Sequence, residues 1–359
     1  MAATTSTSQT NQGWLGVVQA LDRFWFTPSD PTPLACIRVV AGLVVFYIHC
    51  CYSWDLLGYV GPEGWIDREL SLYIRNDIEI HRYGLKWDDL PEKVSQGNYF
   101  WSPYFEIADP VCIWLIHSGF LAAMLLFALG LWTPYTGFLS WLGLIAYVQK
   151  ATITLYGVDT MMAIVLLYLQ FGPSGAVYSL DRWLAVRAAR LKGQPPPPIE
   201  PSVSANFALR MIQFHFAFIY FASGTSKLLG STWWSGTSLN YVVLNAAFAP
   251  LHWPPYYHLL SLLAKERWIW EIVMSATIVG TLLLELCFIF LVWDRRWTWL
   301  LVAGATCLHL GIGLIMGLTT FSMMMFAMLI SFFPPDVLKA LIQEILGRAW
   351  QGVASPQTA

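Results

Sequence analysis

Charge is scarce in this chain. Its 359 residues include 20 Lys and Arg and 22 Asp and Glu, or 12% together, where soluble domains are closer to a quarter charged. The net charge of -2 argues against a nucleic-acid partner. Cysteine is sparse as well. Cys36, Cys50, Cys51, Cys112, Cys287 and Cys307 lie in or beside apolar segments without a CxxC or CxxxC pair. They read as small buried hydrophobes, with neither a disulfide frame nor a metal site indicated. There is no HxxxH or HExxH spacing, and no GxSxG or Gly-rich phosphate loop stands out; no metal is expected. The opening MAATTSTSQTNQGW lacks a basic stretch before an apolar core, so no cleavable signal peptide is expected.

What the chain has instead is apolar length. It is 57% hydrophobic, with a mean hydropathy of +0.54, and its 19 Trp and 16 Tyr are residues that enrich where a bilayer meets water. The expected fold is an all-α polytopic membrane protein. A bilayer core needs about 20 apolar residues per helix, which places spans at 34–54, 109–131, 134–156, 158–173, 206–228, 270–292, 297–317 and 319–333, eight in all. TPYT after Trp132 and YGVD at Tyr156 to Asp159 are tight connections that make helical hairpins. No internal repeat is visible.

Lys and Arg in short loops orient the spans. Arg182, Arg187, Arg190 and Lys192, followed by the spacer QPPPPIEP, put the 174–205 connection in the cytoplasm; Arg295 and Arg296 do the same after the sixth span. Eight spans then leave both termini inside, as Arg23, Lys339 and Arg348 agree. The organisation read here is a cytoplasmic segment 1–33, a transmembrane domain 34–333 and a cytoplasmic tail 334–359. Two long Trp-rich loops, 55–108 and 229–269, fall outside and are expected to cap the outer helix ends. Their charges (Asp67, Arg68, Glu69, Lys86, Asp88, Asp89) are mixed in sign and do not oppose that placement.

Ionisable residues within spans mark a cavity or a partnered cluster more often than lipid contact. Under this topology Lys227, Asp159, Lys150, His49 and His309 come to the outer half of the membrane, with Glu285 deeper and Arg38 near the inner end. In the fifth span Gln213, Tyr220 and Lys227 are seven residues apart, so they share a face that drifts by only ~20° per step. Ser223 and Gly224 join that face, where small residues permit close helix approach or leave room for a ligand. Two readings stand: a polar stripe rising to a working amine, or an interfacial lysine snorkelling among Trp233 and Trp234. Arg38 and Glu285 read as buried partners holding the bundle, Lys150 also as an interface lysine, and His49, His117 and His215 also as packing histidines. Asp181 in SLDRW reads as a helix-start cap.

RVVAGLVVFY, YGVDTMMAIVLLYLQFGPSGAVYSLDRW, FIYFASGTSKLLGSTWWSGTSLNYVV, LLLELCFIF and HLGIGLIMGLTTFSMMM, in that order, resemble the HTTM family. That family is the membrane domain shared by vitamin K-dependent γ-carboxylase and many bacterial proteins, and the resemblance covers about residues 20–333. It implies a bacterial inner-membrane enzyme acting at the outer face on a quinone-like lipid or a protein side chain. Lys227 would be the base that deprotonates a reduced quinone, Asp159 its companion, and Gln213, Tyr220, Ser223, Trp233, Trp234, His309, Lys150 and His49 the pocket. A lysine is a base only where its neutral form is populated, which desolvation favours. Two departures count against carboxylation itself. Asp159 stands where the carboxylase has a histidine, and Ser226-Lys227 stands for its lysine pair. An aspartate beside Lys227 would hold the ammonium in an ion pair. After the last apolar segment only PPDVLKALIQEILGRAWQGVASPQTA follows, so the resemblance stops short of the carboxylase's soluble domain. Bacterial relatives of this short form include a factor that matures a secreted peptide toxin, so a non-redox maturation or export role is the alternative. A membrane lipid, and a secreted peptide or protein substrate, are the partners implied. A small-solute transporter fits less well, since no inverted repeat is visible.

Overall fold

The computed structural model describes residues 6–67, 70–71, 102–245 and 254–346. Among these the regular elements are all helices, and there is no strand. It divides into two compact units, Met1–Arg210 with Pro334–Ala359, and Met211–Phe333.

The first unit opens with α1 (Ser6–Phe26) and α2 (Thr32–Tyr52), which runs through a 3-10 turn into α3 (Leu56–Val60). Then come α4 (Pro110–Leu129), α5 (Thr133–Lys150), α6 (Gly157–Leu169), α7 (Leu180–Leu191) and the first part of α8 (Val203–Leu228). Local chemistry sets these boundaries. The Asp109 carboxylate accepts from Cys112 N and Pro110 sits at the first turn of α4, while Gly130 closes that helix with a φ of 72°. Proline loses nothing at a helix start, and glycine takes left-handed backbone without a Cβ penalty. Packing follows membrane rather than aqueous logic, because lipid is as apolar as Leu and association leans on small residues and buried hydrogen bonds. At the α2–α4 crossing a Cβ on Gly42 would stand 2.9 Å from Ala128 Cα, so only glycine lets the backbones come this close. The fully buried Arg38 donates to Ser174 O at 2.8 Å and Tyr178 O at 2.5 Å, tying α2 to the segment before α7.

The second unit holds the rest of α8, then α9 (Ser231–Trp234), α10 (Ser238–Val243), α11 (Pro254–Ala264), α12 (Arg267–Leu291), α13 (Arg295–Ile315) and α14 (Thr319–Leu329). α12, α13 and α14 pack in succession, and α14 runs on as a 3-10 turn to Phe332. α15 (Pro335–Leu346) belongs to the first unit and packs on α2, where Lys339 Nζ meets Asp30 Oδ2 at 2.5 Å.

All eight segments read as spans are helical. Four helices among the described residues are long and apolar enough to cross a membrane: Thr32–Val60, Pro110–Leu129, Arg267–Leu291 and Arg295–Ile315. Gly157–Leu169 and Thr319–Phe332 are apolar but short. α5 and α8 have the length, but they carry Gln149 and Lys150, and Arg210, Gln213, His215 and Lys227, which lower their apolar content. Of the expected outer caps, 68–69, 72–101 and 246–253 lie outside the described residues, and with them Arg68, Glu69, Lys86, Asp88 and Asp89; so do 347–359 and Arg348. The described ends of the first loop are pinned to the end of α5. Ser102 Oγ donates to Ala146 O at 2.8 Å and Ser71 Oγ to Lys150 O at 3.0 Å. Tyr104, Leu56 and Val60 bury against Ala146, Tyr147 and Ile113.

Candidate functional site

In the second unit, Gly224 brings α8 against α12, since a Cβ there would stand 3.0 Å from Leu286 Cδ2 and 3.1 Å from Glu285 Cβ. That approach sets Lys227, one turn further along α8, opposite Glu285. The Lys227 amine donates to Glu285 Oε1 at 2.7 Å, to Glu285 Oε2 at 2.8 Å and to Ser223 Oγ at 2.6 Å. Ser223 has one proton, and it goes to Glu285 Oε1 at 3.2 Å. Three acceptors use the three N–H bonds of an ammonium, so the arrangement is a closed loop of ammonium, hydroxyl and carboxylate. The Glu285 side chain is 7% exposed and that of Lys227 23%. The pair is therefore largely out of solvent with one side reachable.

Two further layers surround it. The chain turns after α8 at Gly230, and α9 lays the Trp233 ring 5.3 Å from Lys227 Nζ, within cation–π range. One helical turn below Ser223, the Tyr220 hydroxyl meets His309 Nε2 of α13 at 2.8 Å, with the Tyr220 ring packed on Phe216 and Phe288. His309 is buried, and its Nδ1 has no hydrogen-bond partner among the described residues. Deeper still, Gln213 Nε2 donates to Ser331 O at 2.6 Å. The stripe of Gln213, Tyr220 and Lys227 thus faces the inside of this unit, and each member reaches a different neighbour.

The other expected site residues have other work. Trp234 is 73% exposed, and its indole N–H caps Leu228 O at 2.7 Å; it closes the end of α8 and does not line the amine, because the one-residue step from Trp233 turns it outward. Asp159, in the first unit, serves its own helix, with Oδ2 accepting Tyr156 N at 2.9 Å at the start of α6. Lys150 is buried and does not reach an interface, for its amine donates to Ile66 O at 3.0 Å and stands 5.7 Å from the Phe105 ring. His49 is fully buried, with Nδ1 on Val45 O at 2.8 Å, so the ring proton on Nδ1 satisfies its own helix. His117 joins Tyr147 and, at 2.7 Å, Ser53.

Asp181 corrects the expected helix cap. The N-cap of α7 is Ser179, whose Oγ accepts from Arg182 N at 2.9 Å. The Asp181 carboxylate reaches instead to the α4–α5 turn, accepting from Trp132 N at 2.8 Å, Thr133 N at 3.0 Å and Thr133 Oγ1 at 2.8 Å. It caps another helix from 48 residues away.

Glu285, read from the sequence as a buried polar partner, is one, and the cation it meets is Lys227. The usable signal was an acid deep in LLLELCFIF, which cannot stay charged there without a cation. Among the described residues no group of three or more His, Cys, Asp or Glu side chains is placed to hold a metal ion. No family model, no curated protein and no solved structure matches this chain.

Proposed function

We propose that the chain is an integral membrane enzyme of the vitamin K-dependent carboxylase-like kind, with Lys227 and Glu285 as a proton-exchanging pair. The observation that carries this is the loop in which both Glu285 oxygens and Ser223 take the three Lys227 donors. An ammonium with all its protons engaged is not a base. It becomes one when a proton passes to the carboxylate 2.7 Å away, leaving a neutral amine beside a neutral acid. Glu285 takes the companion role first expected of Asp159. The residues fit a hydroxyl-bearing ring such as a reduced quinone: an amine open on one side, the Trp233 face, and the buried Nδ1 of His309, which meets no hydrogen-bond partner among the described residues. When bound, such a ring would supply the electrons for oxygen chemistry; the protein would hold and move the proton at Lys227 Nζ. On this reading the remaining helical segments also span. The eight-span topology then puts both termini in the cytoplasm of a bacterial inner membrane and the two long loops outside.

A second reading, a non-redox factor for maturing or exporting a peptide, is favoured by the same loop taken as permanent, since a saturated pair suits a structural tie. Mass spectrometry of lipids carried through purification separates the two. A bound quinone, lost in Lys227→Met and His309→Leu, is expected; phospholipid alone, unchanged by either substitution, would sink the enzyme reading.

A further inference from the structure

In the first unit a group of polar rings is buried where the end of α2 meets α4 and α5, and the chemistry at Lys227 makes no use of it. Tyr147 of α5 is buried in a shell of Leu56, Val60, Ile113 and Ala146. Its phenolic oxygen accepts from the Tyr104 hydroxyl at 3.1 Å. Its own proton therefore goes elsewhere, and the acceptor it meets is His117 Nδ1. His117 Nε2 then carries the ring proton and gives it to Ser53 Oγ at 2.7 Å, while the Ser53 hydroxyl points on toward His49 O at 3.4 Å. Each hydroxyl and the one imidazole N–H in this line is spent once, and all in one direction. That direction sets the lone pair of a neutral imidazole on the phenolic proton of Tyr147.

A tie between helices needs those hydrogen bonds but not the rings around them. The Tyr147 ring stands 5.4 Å from Tyr52 and 5.8 Å from His117. From Tyr52 the line runs to Tyr59 at 4.7 Å and on to Trp65 at 4.6 Å; from His117 it runs to Trp114 at 5.7 Å. Both ends surface, since Trp65 and Trp114 are exposed. Trp114 lies on α4, a helix long and apolar enough to span, so what it meets is lipid. Tryptophan and tyrosine rings give up single electrons more readily than other aromatic side chains, and rings in near contact pass the vacancy along by short hops. A phenol gives up its electron at least cost when its proton leaves in the same step, which needs a base already within hydrogen-bond reach. Tyr147 has that base. Tyr220 also meets an imidazole, but the rings packed on it are Phe216, Phe288 and His309, none of which holds a vacancy at comparable cost.

We propose that Tyr147 is a redox-active tyrosine that reduces organic peroxyl radicals formed in the surrounding lipid, with His117 as the acceptor of its proton. The peroxyl radical takes one electron from the exposed Trp114 ring and one proton from water, becoming a hydroperoxide and leaving hydroxide. Trp114 is refilled by one electron from Tyr147 across His117. As that electron leaves, the O–H bond of Tyr147 breaks and the proton passes to His117 Nδ1. The products are a hydroperoxide, a hydroxide, an imidazolium and a neutral tyrosyl radical, so atoms, electrons and charge balance. Tyr104 goes on donating to the radical oxygen, and the His117 Nε2–H stays on Ser53. Trp65, Tyr59 and Tyr52 give the same site a second entrance. Nothing in this step depends on the pair at Lys227.

The test places the full chain in phosphatidylcholine nanodiscs and generates peroxyl radicals in the lipid with a lipophilic azo initiator. Frozen samples are read by electron paramagnetic resonance, with ordinary and with ring-deuterated tyrosine. The native protein should accumulate a neutral tyrosyl radical, recognised because its hyperfine pattern narrows with the deuterated ring. Tyr147→Phe should lose most of that signal, whereas Tyr220→Phe should keep it. His117→Gln preserves a hydrogen bond but takes no proton, and should cut the yield several-fold, as should Trp114→Phe combined with Trp65→Phe. Tyr104→Phe removes one hydrogen bond to the radical oxygen and should shift the high-field spectrum. An unshifted spectrum would put the radical on another tyrosine, whether or not Tyr147→Phe folds. Absence of a tyrosyl radical in the native protein, or a yield undiminished by Tyr147→Phe or His117→Gln, would equally overturn the proposal.

Discussion

At Lys227 and Glu285 the two halves of one pair are unequally placed, and the inequality is measurable. Breaking a buried pair costs about 3–5 kcal/mol because the survivor is left charged and unpaired. Lys227, with 23% of its side chain exposed, can retreat toward solvent on its long stem and keep the Trp233 ring. Glu285, 7% exposed, would keep only the Ser223 hydroxyl. Lys227→Met should therefore destabilise by about 2–3 kcal/mol and Glu285→Gln by about 1–2 kcal/mol. Lys227→Met with Glu285→Leu should recover to within about 1 kcal/mol of the native protein, since no charge is then stranded. Thermal unfolding in detergent, followed by tryptophan fluorescence, gives all three values. Additive losses in the double variant would show that the two side chains do not act as a pair. At this scale the sequence was a partial guide. Lys227, Ser223, Tyr220 and Gln213 were legible because a seven-residue spacing keeps them on one helical face. The partner was not, because nothing in a one-dimensional pattern says which of two acids, Asp159 or Glu285, a given amine will meet. That depends on a close crossing at Gly224, where the missing Cβ matters only once the neighbouring helix is known.

Between elements, the fold is held by polar clamps that join segments remote in sequence. Arg38 reaches Ser174 and Tyr178, Asp181 reaches Trp132 and Thr133, and Lys339 on α15 reaches Asp30 just before α2. The helices themselves could be read from apolar length and the hairpins from TPYT and YGVD. The clamps could not, since SLDRW looks like a self-contained cap until the α4–α5 turn lies beside it. The Asp30–Lys339 clamp makes a pH prediction. Burial alone would raise the Asp30 carboxyl, but hydrogen bonds from Lys339 and Thr32 and the Lys339 charge outweigh it, and the group titrates below its ordinary value. A carboxyl depressed in the folded state contributes stability fully above its unfolded pKa, near 4, and loses it as pH falls through the lower folded value. Unfolding temperature should thus be insensitive to this clamp from pH 7 to about 5 and should drop below about 4. Asp30→Asn should remove that portion of the acid loss and lower stability at neutral pH instead. An acid limb identical in Asp30→Asn and the native protein would show that the clamp contributes nothing.

For the whole molecule the number of crossings turns on several helices, and α8 is the one that carries Lys227. Its 26 residues are about 39 Å long at 1.5 Å per residue, more than the ~30 Å hydrocarbon core requires. The objection to a span is composition, yet Gln213, Tyr220, Ser223 and Lys227 spend their polar atoms within their own unit. What α8 shows outward includes Phe214 and Phe218. A helix with internal polar groups and an apolar outer face is acceptable to lipid. If α8 crosses, residue 190 at the end of α7 and residue 234 just past α8 are on opposite sides. The positive residues of the 174–205 connection further place residue 190 in the cytoplasm. Single cysteines at Arg190→Cys and Trp234→Cys, in a background with the six native cysteines replaced, can be probed with a membrane-impermeant maleimide on intact cells. Trp234→Cys should label from outside and Arg190→Cys only after the membrane is opened. Labelling of both from one side would remove α8 from the membrane. It would also put Lys227 on the same face as the basic connection, where an outer-face reaction could not use it.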